Sequence, residues 1–385
     1  MDAMKDLFLL DPGLVFLNHG SFGACPREVL AAQHRWQHEM ERNPVAFLGR
    51  RSAEALWDAR RVLAGALGAQ PQDLVFVPNA TTGVNTVARS LPLQPGDEVL
   101  ATDLEYGACD ATWQRVCARA GAHYRRVAVP LPFDGAALVA RLMDAVGPRT
   151  RLLFVSHVTS TTALTLPVAA LCAAARARGL PTLVDGAHAP GQLPLDLDAL
   201  GADYYVGNGH KWLCGPKGSG FLHARPEHQA GLDATVTSWG DAEGSGGHSG
   251  FDAYLGRTVF ERRLQWQGTR DLSAWLALPD AIRFQQRHDW PAVQRRCHAL
   301  AARALQGLTR RHGLAPIAGD ADWAQMVAIP VPPQDPEALR RRLFDESGIE
   351  VPVTTHGGHV FVRVSVQGYN TDEDIARLLD APALR

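Results

Sequence analysis

The chain lacks any marked excess of charge: 38 Lys and Arg stand against 40 Asp and Glu, a net of −2 at pH 7 over 385 residues. It also lacks a long basic run, so neither nucleic acid nor an anionic membrane is an expected partner. The arginine clusters "ARARGL" (Ala175–Leu180) and "LRRRLF" (Leu339–Phe344) sit in helical patterns and read as solvated helix faces. Cysteine is sparse. Cys25, Cys109, Cys117, Cys172, Cys214 and Cys297 form no CxxC pair and no dense framework, which excludes a disulfide scaffold and fits a reducing compartment. No apolar run approaches membrane-spanning length. The N-terminus, "MDAMKDLFLLDPGLVFLNHG", is interrupted by Asp6 and Asp11 and has no basic start or small-residue cleavage site. A cytoplasmic protein without internal repeats or low-complexity tracts is expected.

With 46% hydrophobic and 20% charged residues, the composition is that of an ordinary globular protein, and the length favours two domains. Between residues 73 and 224, the apolar runs "DLVFVPN", "DEVLATD", "RLLFVSH", "PTLVDGA" and "DYYVGNG" alternate with stretches of helical periodicity. The helical stretches are "TTGVNTVARSL", "GACDATWQRVCARAG", "DGAALVARLMDAVG" and "PVAALCAAARARG". This alternation predicts an α/β fold with a mostly parallel sheet between helices. "GSGFLHAR" reads as a further strand, possible in the antiparallel sense. Ser238–Gly256 is a glycine-rich loop, open to reading as a connector or as an active-site lid. "DLSAWLALPDAIRFQQRH" starts a long helix, and "AQMVAIPV" and "HVFVRVSV" are strands of a smaller α+β domain. The expected division is 1–45 as a segment serving the small domain and the site rim, 46–270 as the large domain, and 271–385 as the small one.

Open parallel sheets place chemistry just past their strand ends. Those positions carry Asn79-Ala80-Thr81-Thr82, Glu105-Tyr106, His157 with Thr159-Ser160, Asp185 and His188, and Asn208-Gly209-His210-Lys211. Lysine is costly to bury unless paired or chemically used. An amine, an acid, small hydroxyls and an aromatic ring on one sheet edge suit pyridoxal phosphate (PLP). The lysine would hold its aldehyde as a Schiff base, and the aspartate would keep the pyridine nitrogen protonated. "NATTGV" offers threonine hydroxyls and free amides at a helix start, a phosphate seat. Two alternatives are set aside. His356 and His359 in "TTHGGH" lack further ligands for a metal, and "GPKGSG" lacks the order of a nucleotide loop.

"LVDGAHAPGQLPLD" followed by "YYVGNGHKWLCGPKGSGFL" resembles the signature of class V, fold-type I PLP enzymes, with aspartate and lysine 211 − 185 = 26 residues apart. "VFLNHGSFGACP", "NATTGVNTV", "DLEYGA", "SHVTSTTALTLPV", "WQGTRD" and "VRVSVQGYNTDED" extend the resemblance over almost the whole chain. "LNHGSFG" with "NPVAF" is most similar to the isopenicillin N epimerase-like branch. The resemblance implies the PLP-dependent transferase (aspartate aminotransferase-like) fold. It makes Lys211 the Schiff-base lysine, Asp185 the pyridinium partner and His188 a hydrogen-bond partner near the phenolic oxygen, with Ser160 or Thr159 close by. Tyr106 matches the ring-stacking residue, and Thr81, Thr82, Asn208 and His210 match phosphate contacts. Thr269 matches a residue given to the neighbouring subunit's phosphate site, implying a homodimer with the site at its interface. Arg363 matches the arginine that grips an amino-acid substrate's α-carboxylate, and Asn18 and His19 fall in the N-terminal motif beside the substrate. A persulfide-forming desulfurase is not expected, because no cysteine follows Cys297. Epimerisation, β-elimination at a C–S bond and transamination remain open, as does a non-catalytic PLP-binding protein.

Overall fold

A computed structural model describes residues 4–241 and 256–385. The strands, in chain order, are β1 (Val15–Phe16), β2 (Leu74–Val77), β3 (Glu98–Thr102), β4 (His123–Val127), β5 (Thr150–Ser156) and β6 (Thr182–Gly186). They continue with β7 (Tyr204–Asn208), β8 (Gly220–Ala224), β9 (Met326–Val331), β10 (Ile349–Glu350), β11 (Val353–His356) and β12 (His359–Ser365). The large sheet has seven strands in the order β2-β8-β7-β6-β5-β3-β4. Only β8 runs against the others, pairing antiparallel with both β7 and β2. All five apolar runs and the antiparallel strand read from the sequence are therefore present.

Helices cover both faces, as a parallel sheet requires. Along β5 the side chains alternate: Leu152 and Phe154 join one core with Val84, Val87 and Trp113, while Leu153 and Val155 join another with Leu63, Leu142 and Leu171. Leu152, Leu153, Phe154 and Val155 are all fully buried. Burying a side chain of this size contributes about 1.5–3 kcal/mol, so the central strands hold the sheet edge above them rigid.

The smaller α+β part is a three-stranded antiparallel sheet, β11-β12-β9. The helix Trp290–His312 shares its core through Ala301, Leu305 and Leu308 with Val327 and Ile329. The N-terminus joins this part: β1 pairs parallel with β10, and Leu17 accepts a hydrogen bond from the Ser365 amide at 2.8 Å. Two expectations need correction. The long helix beginning near Asp271 is broken into Ser273–Leu276, Leu278–Arg287 and Trp290–His312. Pro279 and Pro291 each sit in the first turn of a new helix, and Asp289, at φ 45°, interrupts the last two. Strand β4 went unread, since "HYRRV" carries charged side chains on both faces of an edge strand. Of the loop read at Ser238–Gly256, residues 242–255 lie outside the described residues. Among the described residues, no helix is long and apolar enough to cross a membrane.

Candidate active site

A cavity of about 320 Å³ opens at the C-terminal edge of the large sheet, a size typical of small-molecule sites. Its wall includes Thr81, Tyr106, Ser160, Asp185, His188, Asn208, His210 and Lys211. They arrive from several strand ends. Tyr106 follows β3, Ser160 follows β5, Asp185 lies in β6, and Asn208 ends β7.

Lys211 is the centre of this set. Burial pushes its amine down to about 8, while the nearby Asp185 carboxylate opposes that fall. The Lys211 Nζ lies 3.2 Å from His188 Nε2. Asp185 Oδ1 accepts from the Ala187 amide at 2.9 Å, whereas among the described residues Oδ2 meets only the Cys109 thiol at 3.6 Å. Burial raises the Asp185 pKa. A buried carboxylate with one oxygen so weakly engaged is ready for a stronger donor, and a ring N–H⁺ would be one.

The helix Ala80–Ser90 starts at the cavity wall. Its cap, Asn79, takes the Thr82 amide at 2.8 Å and the Thr82 hydroxyl at 3.1 Å. The Ala80 amide donates to Asn208 Oδ1 at 2.8 Å. Among the described residues neither the Thr81 amide nor its hydroxyl has a hydrogen-bond partner, so the positive end of this helix faces the cavity through Thr81. Thr82 does not line the cavity, because its hydroxyl is spent on the cap. His210 lines it, with Nδ1 3.0 Å from the Ser219 carbonyl and burial pushing its pKa down to about 4. To donate to a phosphate it would need a proton on Nε2, which an adjacent dianion favours.

Arg363, in β12, is buried, and among the described residues it has no carboxylate partner. Its Nη1 donates to the Ser160 carbonyl and, at 3.3 Å, to the Ser160 hydroxyl; its Nη2 donates to Ser21 Oγ at 3.0 Å and to Asn18 Oδ1 at 3.4 Å. Arg363 Nε is left without a partner. Burial pulls this guanidinium down to about 10. Arg363 is not itself on the cavity wall but lies directly behind Ser21 and Ser160, which are.

Five further predicted positions lie off the wall. His19 is fully buried with Nδ1 3.0 Å from the Tyr369 hydroxyl and Nε2 3.0 Å from the Lys211 carbonyl, so it braces the lysine's backbone. Asn18 reaches the site only through Arg363 and Ser21. The Thr159 hydroxyl is engaged by Thr162 and the Leu164 amide, which leaves Ser160 as the wall residue of that pair. Thr269 lines no part of this chain's cavity. His157 likewise turns away, to the Tyr205 hydroxyl at 2.9 Å.

Sequence reasoning missed Ser21 and Phe22, which also line the cavity. Glu105, placed at a strand end by the sequence but given no role there, is an acid behind the site. Glu105 accepts 2.6 Å hydrogen bonds from Thr102 and Ser156, and burial pushes its carboxyl up to about 8. Ser156 pairs in register with Asp185, a neighbourhood only the strand order reveals.

The aminotransferase class-V family model matches residues 16–378. The chain belongs to that family. Such enzymes depend on PLP, and the residues present fit it: an amine, a half-engaged carboxylate and an open helix start line one cavity, with a buried guanidinium behind it. Among similar proteins, the isopenicillin N epimerase of Streptomyces clavuligerus is 42% identical over 99% of this chain and 97% of its own length. A probable chloroplastic L-cysteine desulfhydrase of Arabidopsis thaliana is 29% identical over 96% of this chain and 82% of its own. Among solved structures, a C-DES variant with glycine covalently linked to its PLP cofactor superposes with a TM-score of 0.84, at 26% identity and 99% coverage of both chains. C-DES as the cystine C–S lyase, bound to its product cysteine persulfide, gives 0.79 at 26% identity, covering 97% of this chain and 98% of that one.

Proposed function

We propose that this chain is an epimerase that inverts Cα of an amino acid or of an amino-acid-derived substrate, like the isopenicillin N epimerases it resembles. PLP, when bound, takes the substrate amine at its aldehyde carbon and spreads into its ring the charge left at Cα. Thr81, Asn208 and His210 would seat its phosphate, Asp185 its ring nitrogen and His188 the neighbourhood of its phenolic oxygen. Tyr106 would lie against its ring. Arg363 would take the substrate's α-carboxylate with its planar fork, displacing the hydroxyls of Ser21 and Ser160 that occupy it.

Inversion requires a proton to leave Cα on one face and another to arrive on the opposite face. Lys211 Nζ is the group for the first face. The observation that carries the epimerase reading is the placement of Tyr106. Tyr106 follows β3 and Lys211 follows β7, with β5 and β6 between those strands, so the two groups reach one cavity from separate strand ends. The Tyr106 hydroxyl has no hydrogen-bond partner among the described residues and the ring is 46% exposed. In this reading Tyr106 would give its phenolic proton to Cα while Lys211 takes one: one C–H bond breaks, one forms, and proton exchange with solvent returns Lys211 to the free amine and Tyr106 to the phenol. Lys211→Ala tests the lysine's role. Turnover should fall by at least about 10³-fold, within the range for a lost acid–base group. Substantial residual turnover would overturn it.

A second reading, β-elimination from a cysteine conjugate, is favoured by the likeness to C-DES and needs only Lys211 at Cα. A desulfurase route through a thiol persulfide is not supported. All six cysteines are buried, none lines the cavity, and burial raises the Cys109, Cys214 and Cys297 thiols well above their ordinary range. We further infer a homodimer in which Thr269, absent from its own chain's cavity, serves the partner's phosphate seat.

A further inference from the structure

Trp212 directly follows the lysine and is fully buried. Its indole N–H donates to His188 Nδ1 at 3.2 Å, and no other acceptor is placed for it. An indole nitrogen can only donate. His188 Nδ1 must therefore carry a lone pair, and a neutral imidazole with a bare Nδ1 bears its proton on Nε2. Burial of His188, beside the charges of Lys211 and Arg363, holds the ring neutral. The Nε2 atom lies 3.2 Å from Lys211 Nζ. A protonated Nε2 cannot accept from an ammonium, but it can donate to a free amine.

The two backbones that hold this pair are themselves fixed. Gln285 Nε2 donates to the Trp212 carbonyl at 2.8 Å, and Gln192 Nε2 donates to the His188 carbonyl at 2.6 Å. Both glutamines are buried. The indole and imidazole thus meet with little freedom to swing apart, and the tautomer is set before any ligand arrives.

We propose that Trp212 is a positioning residue for Lys211: its indole N–H locks His188 in the Nε2–H tautomer, which turns a hydrogen-bond donor toward the lysine and favours its free-amine form. The same donor would face the phenolic oxygen of bound PLP, where an acceptor of negative charge needs one. The inference rests on the assignment of Lys211 and His188 to the site, not on which reaction follows.

The test reads the tautomer directly. Full-length protein labelled with ¹⁵N in histidine is examined by long-range ¹H–¹⁵N correlation, cofactor-free and PLP-loaded. His188 should show a protonated Nε2 and a bare Nδ1 in both. Trp212→Phe removes the N–H while keeping an aromatic ring in place, and should give a mixture of tautomers. The Lys211 amine, measured by the pH dependence of its modification with trinitrobenzenesulfonate in the cofactor-free protein, should then titrate up to about one unit higher. That matches the loss of one neutral hydrogen bond. The other groups bearing on this amine, Asp185, Arg363 and Cys109, are unchanged in the variant. A wild-type His188 protonated at Nδ1, or an unchanged tautomer in Trp212→Phe, would overturn the proposal. Should that variant fail to fold, His188→Ala must move the Trp212 indole N–H resonance, and an unmoved resonance is equally fatal. Because neither readout needs turnover, failure here is distinguishable from failure of the epimerase reading.

Discussion

Replacing Arg363 with lysine keeps the positive charge but removes the fork, and that makes it a sharp probe of substrate recognition. In the structure the guanidinium spends Nη1 on Ser160 and Nη2 on Ser21 and Asn18, and Nε stays unpaired. A buried cation without a carboxylate is held at a cost that only an anionic ligand offsets. A bidentate carboxylate would take two charge-assisted hydrogen bonds, each contributing about 1.5–3 kcal/mol. Arg363→Lys keeps at most one in place, so kcat/KM for the free amino acid should fall roughly 10- to 150-fold. The assay compares each substrate with its α-carboxamide. Wild-type protein should discriminate strongly against the amide, and the variant should lose most of that discrimination while binding PLP, followed by absorbance titration, as tightly as before. Equal losses for acid and amide, or an unchanged KM for the acid, would refute the assignment.

Tyr106→Phe should retain PLP and still exchange the Cα proton of one enantiomer with solvent, while racemisation slows by roughly 10²-fold or more; equal loss of exchange and inversion would remove Tyr106 from proton delivery. Gly23→Ala should impair folding or PLP retention, because at φ 70° the added Cβ would stand 2.1 Å from the His210 carbonyl; a thermally unchanged variant would show that this contact is soft. The cofactor-free protein should lose stability as pH falls from 6.5 toward 4. His157 and His210 are held neutral in the fold, down to about 4, so over that window the unfolded chain binds protons that the folded one refuses. Urea midpoints at pH 7, 5.5 and 4.5 should fall in that order, and a flat profile would contradict the buried neutral histidines.

Much of this site is written in local sequence. Five apolar runs ending in polar residues place Tyr106, Asp185 and Asn208 on one edge, and the Lys211 turn follows directly from β7. What was not legible depends on strand order and on contacts between distant segments. Glu105 meets Ser156 only because β3 and β5 are neighbours. Ser21 reaches Arg363 across 342 positions, through an N-terminal strand of two residues whose pairing with β10 has no local signal. His19 carried the right motif and a different role, since both its nitrogens are consumed by Tyr369 and the Lys211 carbonyl. Strand β4 escaped because an edge strand may stay polar on both faces without losing its pairing.

The most direct test of the central claim is to incubate PLP-loaded protein with single enantiomers of amino acids, amino-acid-derived peptides and cysteine conjugates in deuterated water, and to follow Cα label and configuration together. The epimerase reading predicts that deuterium enters at Cα as configuration inverts, with the carbon skeleton intact. Release of pyruvate and ammonia from cysteine conjugates, with no inversion of any substrate, would contradict it and place the chain with the C–S lyases.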